Sequence, residues 1–324
     1  MEGKNINSNP LKEEEKIIVG ILNKDCAQQL KQCLDSLLNQ EFKNFEVVVV
    51  DGGSKDDSLC VLQDYSKKDE RVHYFIQKSK GTGMARNELI EYVKENFPEC
   101  SKIVWGDAEN VYDPKYLENI VAKSKGFSVV GGKNVIDSKN PLAQALWWYY
   151  NGFPEGVSGN NECVDMGIYK KHKYANVIRG EDYILHQQLV MEGHKLHKCL
   201  EAVCYIKTVE TFSDFISWTR KKALGLFQWA YNEKKIISLI RHYLIFNILI
   251  WTYILLFFII VLFFPFLLAL YFAFPIMLSF YFWQKGKSFV RNMRKITFFY
   301  FLPVLLIHFS VVFFEILKLN LFKK

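Results

Sequence analysis

Short apolar runs recur through the first third of the chain, each followed by a stretch whose apolar positions fall at helical spacing. Residues 16–23 (KIIVGILN), 45–51 (FEVVVVD), 72–77 and 103–105 are apolar enough to be strands buried on both faces. Between the first two, residues 26–39 place Leu30, Cys33, Leu34, Leu37 and Leu38 on one helical face, and residues 58–65 and 84–97 read as two more helices. This alternation predicts an α/β fold with a mainly parallel, Rossmann-like sheet and ligands at the carboxyl ends of its strands. After residue 135 the alternation weakens. Trp147, Trp148, Tyr149 and Tyr150 follow, and they suit core packing, an acceptor path or contact with lipid. Residues 179–196 then predict a helix headed by Glu181 and Asp182, with Ile184, Leu185 and Leu189 on its apolar side.

The last third has a different pattern. Residues 212–241 mix Phe215, Trp218 and Trp229 with Arg220, Lys221 and Lys222, which predicts an amphipathic helix in a membrane interface, a buried helix being the other reading. From His242 to Gln284, 43 residues contain no Asp, Glu, Lys or Arg. That length suits two spans of about 20 residues, expected at about 243–264 and 265–283 with a turn at Pro265, and a third span is expected at about 296–317. Whether the third crosses fully stays open.

Charge sharpens this division. The chain carries a net +7, and the residues after 284 supply eight basic groups and Glu315, which leaves the first 241 residues near neutrality. The basic excess lies among the spans, so it points to a membrane surface and not to nucleic acid. The distribution of Lys and Arg predicts a multi-pass cell-membrane protein whose residues 220–241 and 285–295 face the cytoplasm together with the first domain. Residues 1–15 read as a polar tail without the apolar core of a signal peptide. The seven cysteines form no C-x-x-C pair and read as reduced thiols.

The candidate chemistry sits at the predicted strand ends. In residues 102–114 (KIVWGDAENVYDP) a strand delivers Asp107 and Glu109 at i and i+2, a spacing at which two carboxylates can share Mg²⁺ or Mn²⁺, or else form an acidic turn before a helix. In residues 51–58 (DGGSKDDS), Asp51, Gly53, Ser54 and Asp56 offer acceptors and a free backbone for a nucleoside, or a turn with a helix cap. Residues 80–87 (KGTGMARN) place Lys80, Gly81 and Arg86 at a helix start where they can face phosphate, Arg86 standing where a dinucleotide fingerprint has its third glycine. Residues 126–134 (GFSVVGGKN) lack the Ser or Thr of a phosphate-binding Walker loop. His194 and His197 read as surface or strand residues.

Taken in order, these motifs resemble the family 2 inverting glycosyltransferases of the GT-A fold, over roughly residues 16–225. The resemblance implies a transferase domain at 16–211, an interfacial segment at 212–241 and a membrane domain at 242–324. It implies that Asp51 reads the base of a nucleoside-diphosphate sugar, that Asp107 and Glu109 hold the metal on its diphosphate, and that Asp182, beside Glu181, is the general base toward a lipid-linked acceptor. The sequence departs from the family at Gly20, where proline is usual, and at Glu109 in the third D-x-D position. It leaves Asn23 and Asp25 as alternatives near the end of the first strand. The Q-x-x-R-W motif of processive synthases is absent, with Arg220 and Lys221 in SWTRKK as its loose counterpart and candidate diphosphate partners. A polyprenyl-phosphate sugar synthase and a non-catalytic nucleotide-sugar-binding subunit are the alternatives.

Overall fold

The computed structural model describes residues 16–146, 157–177, 179–263, 268–286 and 295–321. The tail 1–15, the aromatic run Trp147 to Tyr150, the turn at Pro265, most of the basic stretch 285–295 and the lysines Lys323 and Lys324 lie outside the described residues.

The four predicted strands form: β1 (Ile17–Asn23), β2 (Phe45–Asp51), β3 (Val72–Ile76) and β4 (Lys102–Asp107). They are joined by β5 (Val111–Tyr112), β6 (Val129–Ile136), β7 (Asn161–Asp165) and β8 (Leu196–Ile206) in one eight-stranded sheet of order β3-β2-β1-β4-β7-β6-β8-β5. The first four strands are parallel. β7 runs antiparallel to both β4 and β6, and β5 antiparallel to β8, so the second half of the sheet is mixed. The register aligns the strand ends that carry the motifs. Asn23 lies beside Asp51, Leu22 beside Asp107, and Gly106 beside Asn161, which brings the loop ahead of β7 to the same edge.

Strand side chains alternate between two cores. Ile17, Val19, Ile21, Val47 and Val49 face one, with Leu30, Leu34 and Leu37 of α1 (Ala27–Leu38), Leu62 of α2 (Ser58–Lys68) and Ile120 of α4 (Tyr116–Ser124). Ile18, Val48, Val50 and Trp105 face the other, with Leu89 and Val93 of α3 (Thr82–Asn96) and Leu185 and Leu189 of α6 (Glu181–Met191). A short α5 (Pro141–Ala145) is capped by Asn140. The glycine-rich residues 131–132 lie inside β6, which places the near-Walker segment in a strand.

The expected interfacial segment is two helices. α7 (Phe212–Asn232) ends at Glu233, and Lys234 takes a left-handed conformation (φ 55°) before α8 (Ile236–Phe263) begins. The polar residues 232–235 break what reads as one amphipathic run, and the long apolar helix starts seven residues before the expected 243. α8 is the one helix among the described residues that is long and apolar enough to cross a membrane. Its 28 residues correspond to about 42 Å at 1.5 Å per residue. Multi-pass topology is therefore not what the structure supports. α9 (Leu268–Gly286) is 19 residues long and carries Pro275 within it. α10 (Phe301–Leu321) turns part of its apolar surface inward: Val304 joins the domain core, while Val312, Phe313 and Ile316 pack with Ala223 and Phe227 of α7 and Tyr243 of α8.

Candidate active site

Four segments meet at the aligned strand ends. The first is the loop after β2, which is tied to the end of β1. Asp51 is fully buried, and its carboxylate accepts hydrogen bonds from Asn23 Nδ2 at 2.7 Å, Ser54 Oγ at 2.6 Å, and the backbone N–H groups of Gly53 and Ser54 at 3.0 and 2.9 Å. Gly53 takes φ 77°, which lets the loop fold back on Asp51. Asn23 is thus the residue that meets Asp51. Asp25 instead accepts from the Lys55 N–H at 2.7 Å and donates its own N–H to Ser54 Oγ at 2.8 Å. The Asp56 carboxylate accepts from the N–H groups of Ala27 and Ser58, so it braces the loop against α1 and against the first residue of α2.

The second segment is the end of β4. Burial pushes the Asp107 carboxyl up to about 6, with Arg86 opposing and Glu109 adding to the rise. Glu109 is raised as well, by desolvation against the pull of Lys207 and Arg179. Among the described residues, no three His, Cys, Asp or Glu side chains converge on one point. Asp107, half-buried, and Glu109, exposed, are therefore two carboxylates with no third side chain of that kind among the described residues to close a cage around a cation.

The head of α6 is the third. Gly180 (φ 91°) turns the chain so that Glu181 and Asp182 open the helix side by side. Asp182 Oδ2 accepts from the Gly159 N–H at 2.9 Å and Oδ1 from the Tyr183 N–H at 2.8 Å. A Cβ at Gly159 would lie 2.5 Å from that of Asp182, so only glycine lets the loop come this close. Burial works to raise the Asp182 carboxyl, but His186, Arg86 and the two N–H bonds hold it below its ordinary value. Its neighbour Glu181 is driven the other way by burial and by the charge of Asp182. The two adjacent acids are separated in acidity, Asp182 being the ionised one.

Arg86 does not face an open phosphate site. It is 2% exposed, lies 4.7 Å over Trp105 and 5.2 Å over Tyr174, and donates to Glu181 Oε1 at 3.3 Å and the Gly159 carbonyl at 2.7 Å. Its structural place is to tie α3 to the head of α6 and to the loop beside it. Of the motif that contains it, Lys80 and Gly81 remain exposed at the start of α3, with Gly81 at φ 100°.

The fourth segment is α7, which closes against the same edge. A Cβ at Gly225 would lie 1.8 Å from the Arg179 carbonyl oxygen, so the helix lies directly on the chain that leads into α6. Between them is a cavity of about 500 Å³, lined by Asp182 and Arg179, by Trp218, Lys222 and Trp229 of α7, and by the first turns of α8. Arg220 and Lys221 are not in it. They line a separate recess with Ser213, Ile216 and Ser217, and Arg220 Nε lies 2.9 Å from Glu315 of α10. The helical twist turns Lys222 to the cavity and its two basic neighbours away.

Residues 16–161 match the family described as glycosyl transferase family 2. Over that stretch, just under half of its length, the chain is similar to family 2 glycosyltransferases. EpsH of Bacillus subtilis, whose own name as a glycosyltransferase is provisional, is 30% identical over 209 residues, which is 59% of this chain and 58% of that protein. The GalNAc(5)-diNAcBac-PP-undecaprenol beta-1,3-glucosyltransferase of Campylobacter jejuni is 23% identical over 172 residues, 52% of this chain and 50% of that one. The chain thus spans only half to three fifths of these relatives. The solved mannosyltransferase PcManGT from Pyrobaculum calidifontis, in complex with GDP-Man and Mn²⁺, shares the fold with a TM-score of 0.52 at 16% identity, over 70% of this chain and 64% of that one.

Two further buried polar residues lie beside Asp182, and sequence reasoning passed them over. Glu162 is fully buried in β7, and His186 Nε2 lies 2.6 Å from its Oε2. Burial opposes a charge on His186, but Glu162 and then Asp182 raise it above the ordinary histidine value. The i, i+4 spacing of Asp182 and His186 on one helix was a legible signal. The partner in β7 was not, because it lies 24 residues away in sequence. His194 and His197 sit elsewhere, the first 2.8 Å from Ser128 Oγ and the second packed on Phe127.

Proposed function

We propose that this protein transfers one sugar, with inversion, from a nucleoside-diphosphate sugar to a hydroxyl of a lipid-linked saccharide at a membrane surface. One observation carries the reading: the ionised carboxylate of Asp182 stands at the wall of the cavity, at the same sheet edge as Asp107 and Glu109. In this reading Asp182 takes the proton of the acceptor O–H as its oxygen attacks the anomeric carbon. The bond from that carbon to the diphosphate oxygen breaks, and the diphosphate leaves with the electron pair. Glu181 and Arg86 position Asp182, and His186 helps keep it ionised. The loop at Asp51, Gly53 and Ser54, with Lys80 and Gly81 nearby in the fold, is the proposed nucleotide side.

Asp107 and Glu109 would hold Mg²⁺ or Mn²⁺. The donor set fits, since two carboxylates raised by desolvation gain from a divalent cation and leave its remaining positions to water and phosphate oxygens. The ion would neutralise charge on the departing diphosphate. A lipid-linked acceptor is supported by the name of the Campylobacter relative and by the apolar α8 at the cavity's edge.

The test is nucleotide release by full-length protein in detergent, across a panel of nucleotide sugars with extracted lipids, and with Mn²⁺, Mg²⁺ or EDTA. Turnover of one donor that depends on metal and is lost in Asp182→Asn and Asp107→Ala is expected. Binding of a donor without turnover, the same in wild type and Asp182→Asn, would move the chain to the non-catalytic alternative.

A further inference from the structure

The helices after residue 235 are apolar, but the way they are tied to the α/β domain limits where a bilayer can lie. α8 starts from a fixed base. Tyr243 packs with Ala223 and Phe227 of α7 and with Val312, Phe313 and Ile316 of α10. Asn247, 3% exposed, donates through Nδ2 to the Phe309 carbonyl of α10 at 3.4 Å, and Phe246 stacks on Phe309 with ring centres 4.5 Å apart. Just beyond, Ile248, Leu249, Trp251 and Leu255 are each more than half exposed.

α9 runs back beside α8. Tyr253 and Tyr271 stack with ring centres 4.3 Å apart, and each hydroxyl donates to the other's backbone carbonyl, at 2.7 and 2.8 Å. Phe257 lies 5.5 Å from Tyr271, and Tyr253 lies 6.5 Å from Phe274, so higher numbers on α8 meet lower numbers on α9. The pair is an antiparallel hairpin. Its second arm comes back to the domain, where Phe282 and Trp283 pack against the core that holds Val304.

α10 stays on the domain. In the 3₁₀ turn ahead of it (Lys295–Tyr300), Thr297 Oγ1 donates to Gln144 Oε1 of α5. Val304 lies in the domain core, and toward the other end Glu315 lies 2.9 Å from Arg220 of α7. A helix pinned in this way along its length is not a span.

Length then decides how far the hairpin reaches. From Ile248 to Phe263 is 16 residues, about 24 Å of helix, and from Leu268 to Tyr281 is 14 residues, about 21 Å. The hydrocarbon layer is about 30 Å thick. The far end is also unsuited to water, since no side chain from Ile254 to Leu270 carries nitrogen or oxygen. Pro265, which has no N–H, leaves one donor fewer for lipid to strand there. Lys234 and Arg241 precede this stretch and Lys285 and Lys287 follow it, which suits headgroups on one and the same face.

We propose that α8 and α9 form a re-entrant hairpin that enters a bilayer from the face on which the α/β domain sits, ends within the hydrocarbon and returns to that face. α10 lies on the domain at the same surface. The protein is thus monotopic, and the cavity beside Asp182, walled by the first turns of α8, stands at the headgroups of a single leaflet. The proposal rests on the membrane-surface reading above and adds depth and sidedness to it: an acceptor in the opposite leaflet is out of reach.

The experiment reads thiol accessibility in the full-length protein. Cys33, Cys100, Cys163, Cys199 and Cys204 are buried, so Cys26→Ser together with Cys60→Ser gives a background with low reactivity toward a membrane-impermeant maleimide. Ile237→Cys, Phe263→Cys and Lys318→Cys, all at exposed positions, are added one at a time. Each is probed in inside-out and in right-side-out vesicles of an expression host, and again after denaturation in dodecyl sulfate. Ile237→Cys and Lys318→Cys should be labelled from one and the same face, and Phe263→Cys from neither face until the protein is denatured. Labelling of Phe263→Cys from the face opposite Ile237→Cys overturns the proposal in favour of a hairpin that crosses. Labelling of Phe263→Cys from the face of Ile237→Cys also overturns it, since the hairpin would then lie outside the lipid. Labelling of Lys318→Cys from the opposite face would make α10 a span and overturn the assignment of α10. No donor, metal or turnover enters, so the expected pattern in a protein that transfers no sugar would refute the transferase reading and leave the hairpin standing.

Discussion

Asp107 is the residue with most at stake, because its surroundings oppose the charge that its proposed task requires. Its carboxyl is raised by burial to about 6, against an unfolded value of 3.8. Without metal, the native state therefore holds a proton that the unfolded chain has released. That contribution is present below pH 4 and is lost as pH rises toward 6, which leaves the ionised group a liability on the order of 3 kcal/mol at neutral pH. Asp107→Asn should raise the thermal midpoint of EDTA-treated protein at pH 7.5 and erase turnover, and the advantage over wild type should vanish near pH 4. For wild type, Mn²⁺ affinity measured by titration should fall as the pH is lowered through about 6. His186 calls for a different expectation. Removing it strands Glu162, which is fully buried, at a cost of about 3 kcal/mol or more. It also removes a charge that keeps Asp182 acidic. In His186→Gln the acid limb of the kcat/KM profile should therefore move to higher pH, a shift that a merely loosened fold would not produce.

At the scale of elements, the site depends on how closely α7 lies on the chain before α6. Gly225→Ala places a methyl group where the Arg179 carbonyl stands. Overpacking of this kind costs about 1–3 kcal/mol, and the KM for acceptor should rise more than that for donor, because the cavity wall moves while the loop at Asp51 does not. The same scale shows what could be read in the chain and what could not. The strands of the first 107 residues were legible because burial on both faces leaves near-continuous apolar runs, and their parallel register puts Asp51 and Asp107 together without further information. β5 to β8 were missed: β5 is two residues long, β6 carries Gly131 and Gly132, β7 carries Asn161 and Glu162, and β8 carries Lys198 and Glu201 among its apolar positions. Arg86 was misread because a basic residue near glycines suits phosphate equally well in sequence. Only the packing of Trp105 and Tyr174 around it turns it inward. The break at 232–235 was obscured in the same way, since the charges of Lys234 and Lys235 fit an interfacial helix as well as a turn.

For the whole molecule, α8 is the feature that would relate the transferase domain to a bilayer in the proposed function. Ile248, Leu249, Trp251 and Leu255 are each more than half exposed. Replacing these four with Ser or Gln should shift the protein from the membrane to the soluble fraction on centrifugation of lysed cells, with the thermal midpoint of the domain little changed. If the acceptor is drawn from the lipid phase, the rate at fixed bulk acceptor should fall in proportion as inert detergent or phosphatidylcholine is added. A rate unaffected by this dilution would indicate a water-soluble acceptor. The join between α7 and α8 is three residues long, and both helices supply walls of the cavity that holds Asp182. In the proposed function, membrane helix and base would thus be set a fixed height apart, like the two jaws of a gauge. An acceptor lengthened by one sugar carries its new terminus past that height, so the protein would count to one by geometry, without any need to release its product by recognising it.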